Sequence, residues 1–98
     1  MGDLFSEKVS KRFDMIYEDV NEPIEVIAVF RNGKMQPLRF KWNERVYKIA
    51  NVNGRWVSDE GINRYYHYSV TVGGPDCFEL YYDSRNMSWE LARVCLEG

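Results

Sequence analysis

Apolar and polar residues alternate along most of the chain between residues 23 and 96, in short stretches separated by turn-forming residues. The alternation is clearest in residues 65–72, where every second residue on one parity is a tyrosine or a valine, and it recurs in residues 78–82. A period of two residues is typical of strands that bury one face. The pattern therefore predicts an all-β, antiparallel domain.

Turn-forming residues divide this part of the chain into short strands that follow one another directly. Asn-Gly pairs are typical of two-residue hairpin turns, because both central positions need a positive φ. A change of phase near Ala92 predicts a β-bulge in the last strand. A meander of this kind favours a small, partly open SH3-like barrel. The predicted breaks are, in chain order, Asn32-Gly33, Asn43-Glu44, Asn53-Gly54, 58–63, 73–76 and 83–86.

The N-terminal segment has a different pattern. Residues 4–16 place apolar side chains at helical spacing, which predicts a short amphipathic helix, although the parity of Val9, Phe13 and Met15 also allows a strand. An acidic connector follows and ends at Pro23, since the residue before a proline favours extended geometry. We therefore predict an N-terminal helical and acidic segment over 1–21 and a barrel-like β domain over 22–98.

Length and composition limit the class of protein. A chain of 98 residues, with 45% apolar and 29% charged residues, suits one globular domain with a modest core. No apolar run is long enough for a membrane span and no secretory signal opens the chain, so we expect a cytoplasmic protein with no membrane partner. Cys77 and Cys95 are expected to be reduced core residues rather than a disulfide.

The net charge of −2 conceals a basic central block, because residues 31–64 contain eight Lys and Arg against three Asp and Glu. Small barrels that bind single-stranded nucleic acid place cations for phosphates beside aromatic rings for bases. This block therefore favours a binding surface for single-stranded nucleic acid or for a partner protein. The candidate residues are Arg39, Lys41, Arg45, Lys48 and Arg55 for charge, and Trp56 and Tyr65 for stacking.

Catalytic and metal-binding patterns are weak. His67, Cys77 and Cys95 have no spacing that supplies two metal ligands from one local element, so we expect no metal and no cofactor. The glycine-rich stretch 73–76 lacks the lysine and the following helix of a phosphate loop, and is predicted to be a hairpin loop. The sequence predicts a non-enzymatic protein.

Protein docking is the leading functional interpretation. Outward aromatic residues, arginines and segregated charge are the inventory that protein interfaces favour. We therefore predict a protein-interaction module with an unknown protein partner, and keep an accessory domain that binds single-stranded nucleic acid as the alternative.

The core-strand positions of residues 22–96 also resemble an uncharacterised family of short bacterial β-domain proteins. The resemblance implies the same β fold and no catalytic residues. It further implies a link to DNA damage tolerance for some members, because such domains also occur at the C-terminus of translesion-type DNA polymerase-like proteins. The motifs that carry it are Glu22-Pro23-Ile24-Glu25-Val26, the run from Phe40 to Ile49, Trp56, Arg64-Tyr65-Tyr66-His67-Tyr68, the run from Phe78 to Asp83, and the run from Trp89 to Val94.

Overall fold

In a computed structural model the chain forms eight strands, and the structure describes residues 9–12 and 15–97. All strand pairings are antiparallel, which confirms the predicted all-β class for the described part of the chain. The strands are β1 (Val9–Arg12), β2 (Met15–Arg31), β3 (Lys34–Trp42), β4 (Arg45–Lys48), β5 (Asn51–Glu60), β6 (Asn63–Thr71), β7 (Cys77–Asp83) and β8 (Ser88–Glu97).

Seven strands lie side by side in the order β4-β3-β2-β8-β7-β6-β5, and β1 pairs with the beginning of β2. Since β4 and β5 stand at the two ends of this order, the sheet is not closed. The chain passes from β4 to β5 through two residues: the Ile49 N–H donates to the Leu38 carbonyl at 2.9 Å, and the Ala50 N–H donates to the Thr71 carbonyl at 2.8 Å. These bonds link the two ends of the sheet along the chain.

The long strand β2 connects the two halves of the sheet. Residues 15–24 pair with β8, whereas residues 25–31 pair with β3. The register with β8 shifts between Asp19 and Glu22, and Asn21 has a φ of 52°. A bulge of this kind bends its strand, and the pairing of β2 with β8 continues beyond it as far as Ile24. The predicted break before Pro23 is therefore a bulge inside a strand.

The core lies between the β3–β4 hairpin and the inner face of β6, β7 and β8. The rings of Phe40 and Phe78 meet edge to face at 5.4 Å, and Tyr47 stacks on Phe40 at 4.9 Å. Each fully buried large apolar side chain stabilises the fold by about 1.5–3 kcal/mol. The buried core residues are Phe40, Tyr68, Val70, Phe78, Leu80, Leu91 and Val94.

Four of the predicted breaks are confirmed. The loop at 73–76 lies between β6 and β7, and the turn predicted over 83–86 lies at the connection from β7 to β8. The other two are tight hairpin turns. Asn32 and Gly33 connect β2 to β3 with φ values of 53° and 73°, and Asn43 and Glu44 connect β3 to β4 with φ values of 54° and 61°. Positive φ at both positions gives these turns the twist that matches the flanking strands.

One other predicted break is wrong, and one is shorter than predicted. Asn53-Gly54 lies inside β5, where the register with β6 shifts between Val52 and Gly54, so the pair forms a bulge rather than a turn. The predicted loop over 58–63 is mostly strand, because β5 and β6 pair as far as Glu60 and Asn63. An ion pair between Arg64 and Asp59 at 2.8 Å supports this continued pairing.

The predicted bulge near Ala92 is confirmed. The neighbouring residues Glu79 and Leu80 of β7 pair with Arg93 and Leu91 of β8, so Ala92 is the extra residue. This change of phase is why Leu91 and Val94 both reach the core despite their odd spacing.

The N-terminal helix predicted over 4–16 rests mainly on residues outside the described ranges and stays a prediction. Within that segment, Val9–Arg12 forms β1 and residues 15–16 begin β2. The predicted boundary between residues 21 and 22 falls inside β2, where residues 15–21 belong to the same sheet as the rest. Nothing in the described part of the chain forms a helix with the length and apolar character that a membrane span requires.

Candidate functional site

Three of the predicted cations share the outer face of the β3–β4 hairpin. Arg39 lies opposite Lys48, and Lys41 lies opposite Val46. These residues alternate with the buried Phe40, so their side chains point away from the core. We call the surface formed by Arg39, Lys41, Lys48, Val46 and the exposed Ile27, which lies opposite Arg39 on β2, the basic face.

Arg45 and Arg55 do not belong to the basic face. Arg45 lies opposite Trp42, which packs against the core, so it is on the other face of the β3–β4 hairpin. Arg55 lies opposite Tyr68 on the inner face of β5, and its guanidinium is 6.0 Å from the centroid of that ring.

The two predicted stacking residues lie on the outer face of β5 and β6. Trp56 stacks on His67 with ring centroids 5.1 Å apart and an interplanar angle of 4°. Tyr65 meets Tyr81 edge to face at 5.6 Å. We call these four residues the aromatic cluster. One face of the Trp56 ring is therefore already covered within the protein.

The seven predicted residues are not brought together on one surface. The inner faces of the β3–β4 hairpin and of β7 pack together through Phe40 and Phe78, so the outer faces of these two layers point in opposite directions. The basic face and the aromatic cluster therefore lie on opposite sides of the molecule. A surface that combines phosphate-binding cations with both aromatic residues is not formed, while the roles of the individual residues stay predictions.

A groove opens between the tip of the β2–β3 hairpin and strands β5, β6 and β7. Its lining includes inward residues of these strands and also Trp56 and His67 of the aromatic cluster. Its volume of about 470 Å³ is within the range of ligand-binding clefts in proteins. Aromatic and aliphatic side chains dominate its lining. The lining residues are Phe30, Gly33, Lys34, Met35, Arg55, Trp56, Val57, Tyr66, His67, Tyr68, Tyr82 and Ser84.

Tyr68 holds the two sides of the groove together. Its hydroxyl donates a hydrogen bond of 2.9 Å to the backbone carbonyl of Met35 in the hairpin. Burial raises the pKa of the Tyr68 phenol above its ordinary value, an effect that the nearby Arg55 partly opposes. The phenol therefore stays protonated at neutral pH and remains a hydrogen-bond donor.

The groove combines exposed apolar side chains with positive charge. Phe30 is 80% exposed and Val57 is 50% exposed, although both are large hydrophobic residues. Lys34 and Arg55 also line the groove, whereas none of its described lining residues is an aspartate or a glutamate. The groove therefore suits a ligand that has apolar groups and negative charge.

A second groove, of about 520 Å³, lies beside the turn between β3 and β4 and is mainly acidic. Its lining includes Glu22, Glu25 and Glu44 together with Lys41. The indole N–H of Trp42 donates to Glu22 Oε1 at 2.8 Å, and Lys41 Nζ lies 3.9 Å from Glu44 Oε1. Several of its polar groups are thus already paired within the protein.

His67 is half-buried, although it lies on the outward parity of β6. Its Nε2 lies 2.8 Å from Ser58 Oγ. Burial lowers the pKa of His67, and Glu60 partly opposes this shift, so the imidazole is neutral at pH 7. The pair has the geometry of a nucleophile and a base, but within the described residues no carboxylate bonds to this imidazole to orient it. We therefore read the pair as a structural contact.

A second polar contact joins the aromatic cluster to β8. The Tyr81 hydroxyl donates a hydrogen bond of 2.6 Å to Glu90 Oε1. Burial raises the pKa of the Tyr81 phenol well above its ordinary value, and the Glu90 carboxylate raises it further.

Within the residues that the structure describes, no group of three or more His, Cys, Asp and Glu side chains is arranged to hold a metal ion.

Arg55 and Trp56 of the groove lining were among the predicted binding residues, but the sequence did not predict the groove itself. Phe30 has the inward parity of β2 and lies opposite Met35, yet it is 80% exposed at the tip of the hairpin. The available signal was its position two residues before the predicted Asn32-Gly33 turn. The tyrosines at 66, 68 and 82 likewise have inward parity but form the wall of an open groove.

The chain matches no protein-family model, no curated protein and no solved structure in the comparisons. The resemblance to a family of short bacterial β-domain proteins therefore stays a prediction.

Proposed function

We propose that the protein is a non-enzymatic interaction module that binds an extended, acidic segment of a partner protein in the groove. The observation that carries the proposal is the exposure of Phe30 and Val57 on the two sides of this groove. Exposed hydrophobic residues that cluster at a cleft are typical of interaction sites.

The charges of the groove determine the chemistry of the partner. Lys34 and Arg55 line it without a carboxylate among the described lining residues, so an acidic segment complements it. The phenol rings of Tyr66, Tyr68 and Tyr82 offer flat contact area at low entropic cost. The segment we propose therefore alternates aspartate or glutamate with aromatic or large aliphatic residues.

The edge of β5 supports an extended binding mode. β5 has ten residues and stands at one end of the strand order, so its outer edge pairs with no strand in the described part of the chain. An extended peptide can add to such an edge through backbone hydrogen bonds, with alternate side chains entering pockets on one face. For β5 that face is the one carrying Arg55 and Val57.

Selection from a random peptide library tests this proposal. The displayed peptides should be about as long as β5, and the immobilised full chain should enrich peptides in which acidic residues alternate with apolar ones. Failure to enrich any sequence above the empty support, or enrichment of basic peptides, would contradict the proposal.

Matched variants locate the binding site. Phe30→Ser and Arg55→Glu should each weaken binding of the enriched peptide by at least about tenfold, which corresponds to about 1.4 kcal/mol. The controls are Ile62→Ser, at a residue with the same 80% exposure as Phe30 but outside the groove, and Arg39→Glu on the basic face. Equal losses of peptide affinity in the variants and in their controls would show that the peptide does not bind in the groove.

A second copy of the chain is the competing occupant. Sedimentation of the unliganded protein distinguishes it, because a dimer that dissociates in the Phe30→Ser variant and not in the Ile62→Ser variant would assign the groove to self-association. A monomeric native chain supports a separate partner.

Binding of single-stranded nucleic acid is the second candidate, favoured by the three cations of the basic face. Its affinity for a labelled thymidine oligonucleotide should fall steeply with salt and be lost in Arg39→Glu/Lys41→Glu, because phosphate contacts dominate such binding. No binding at low salt would remove this candidate. The separation of this face from Trp56 and Tyr65 is the reason it ranks second.

The proposed setting is the bacterial cytoplasm. The short apolar runs and the free cysteines support the cytoplasm, and the family resemblance supports a bacterial origin. A partly open SH3-like barrel is the finer fold that we propose for the unclosed sheet. An accessory role in DNA damage tolerance belongs to the second candidate only.

A further inference from the structure

The two cysteines lie directly opposite each other on neighbouring strands. Cys77 of β7 and Cys95 of β8 are Cα partners, and both are free thiols. Directly opposite Cα atoms in antiparallel strands are about 4.5 or 5.5 Å apart, depending on the hydrogen-bonding position. Both separations fall within the range of about 4.4–6.8 Å that a disulfide spans. The register therefore places the two cysteines at a Cα separation that a disulfide can span.

The two thiols differ in exposure. Cys77 is half-buried, whereas Cys95 is 1% exposed. Both alternate with core residues, Phe78 and Val94, so they lie on the sheet face away from the groove. Burial raises the pKa of the Cys95 thiol, and the adjacent Cys77 raises it further. A soluble oxidant therefore reacts first at Cys77.

We propose that Cys77 and Cys95 form a reversible redox site that a peroxide converts to an intramolecular disulfide. The Cys77 thiolate attacks one peroxide oxygen, the O–O bond breaks, and hydroxide leaves to give the sulfenic acid. The Cys95 thiol then attacks the Cys77 sulfur, forms the S–S bond and releases water. With hydrogen peroxide, two thiols and one peroxide thus give one disulfide and two waters, and an external thiol reverses the change by exchange.

This site is independent of the proposed function. Thr71, Cys77, Cys95 and Tyr17 are successive cross-strand partners on four neighbouring strands. The disulfide would covalently link the two central residues of this row. Because this row lies on the other face of the sheet from the groove, peptide binding in the groove should be unchanged by oxidation.

Mass spectrometry of the oxidised full chain tests the inference. Treatment of the reduced protein with hydrogen peroxide should lower the intact mass by about 2 Da, for the two hydrogens lost on disulfide formation. Trypsin should then release the peptides 65–85 and 94–98 as one linked product, which a reducing agent separates. In Cys95→Ser, a dione reagent should trap a sulfenic acid at Cys77. Linkage between two molecules, or no linkage, would overturn the proposal.

A variant with the same number of thiols provides the control. Cys77→Ser/Glu79→Cys moves one thiol along β7 to a position opposite Arg93, on the same face but out of register with Cys95. It should form the intramolecular disulfide at least about tenfold more slowly than the native chain, because orientation sets the effective concentration of the thiols. Equal rates in the two chains, or an equal rate for the native chain in denaturant, would show that the fold does not bring the pair together.

Discussion

Tyr68 contributes to the core, to the groove and to the link between the two layers. Its ring is buried in the core, while its hydroxyl bonds to the Met35 carbonyl and Arg55 lies over its face. A residue that combines these contacts couples the shape of the groove to the stability of the fold. The same side chain was predicted from sequence only as an inward-facing strand residue.

Removing the Tyr68 hydroxyl tests this coupling. Tyr68→Phe should lower the free energy of unfolding by about 1–1.5 kcal/mol, because the Met35 carbonyl loses its partner while the ring stays in place. Tyr82→Phe is the matched control, since the Tyr82 hydroxyl forms no hydrogen bond within the described residues. Urea unfolding measures both, and an equal loss in the two variants would contradict the role of the bond.

His67 makes the stability depend on pH. Burial lowers its pKa below the ordinary value of 6.5, so the unfolded chain binds a proton more readily than the folded one. Its contribution to stability is therefore complete above about pH 6.5 and is lost as the pH falls through the window between 6.5 and the lower folded pKa.

Urea unfolding at about pH 8 and about pH 5 measures this effect. The native chain should lose more stability on acidification than His67→Gln, which keeps a polar side chain that does not titrate. An identical loss in both proteins would mean that His67 has the same pKa in the folded and unfolded chains.

At the scale of elements, the turn between β3 and β4 is less favourable than the turn between β2 and β3. Glu44 has a φ of 61°, whereas the equivalent position in the other hairpin is Gly33. A non-glycine residue in the left-handed region costs about 1 kcal/mol. Glu44→Gly should therefore raise the free energy of unfolding by about 0.5–1 kcal/mol, despite the loss of its exposed 3.9 Å pair with Lys41.

Chemical denaturation of this variant gives the result, and Glu25→Gly is the control. Glu25 lies within β2 opposite Lys41. Glycine relieves no backbone strain at this strand position, so the substitution should lower the free energy of unfolding. A Glu44→Gly protein that is no more stable than the native chain would contradict the strain assigned to the turn.

Local pattern predicted the strands and the faces of single hairpins. Arg39 and Lys41 point outward and Phe40 inward, as the alternation required. The same Asn-Gly signal gave a turn at residue 32 and a bulge at residue 53, because the second pair lies where β6 is long enough to pair with the strand on both sides. That outcome depends on a partner strand, which a local signal does not contain.

The layout of the candidate site depends on contacts between distant residues. The packing of Phe40 on Phe78 turns two outer faces in opposite directions, and this separates Lys41 from Trp56 although the two residues are only fifteen positions apart in the chain. Period-two parity assigns a residue to one side of its own strand and says nothing about how layers face each other. The groove arises from this same packing, so sequence reasoning could not place it.

For the whole molecule, the residues that stabilise the fold differ from the residues that are available for binding. Phe30→Ser should change the free energy of unfolding by less than about 0.5 kcal/mol, because the side chain is 80% exposed. Leu80→Ala should lower it by about 2–5 kcal/mol, because Leu80 is fully buried and leaves a cavity. Thermal or urea unfolding measures both changes. A large loss of stability in Phe30→Ser would show that Phe30 belongs to the core.

The central claim is that an acidic, extended segment binds in the groove beside β5. Titration of the isotopically labelled chain with the enriched peptide, followed by backbone amide chemical shifts, tests it most directly. We expect changes concentrated at the hairpin tip from Phe30 to Met35, at residues 55–57 and at Tyr66 and Tyr68. Changes confined to the basic face at Arg39, Lys41 and Lys48 would contradict it.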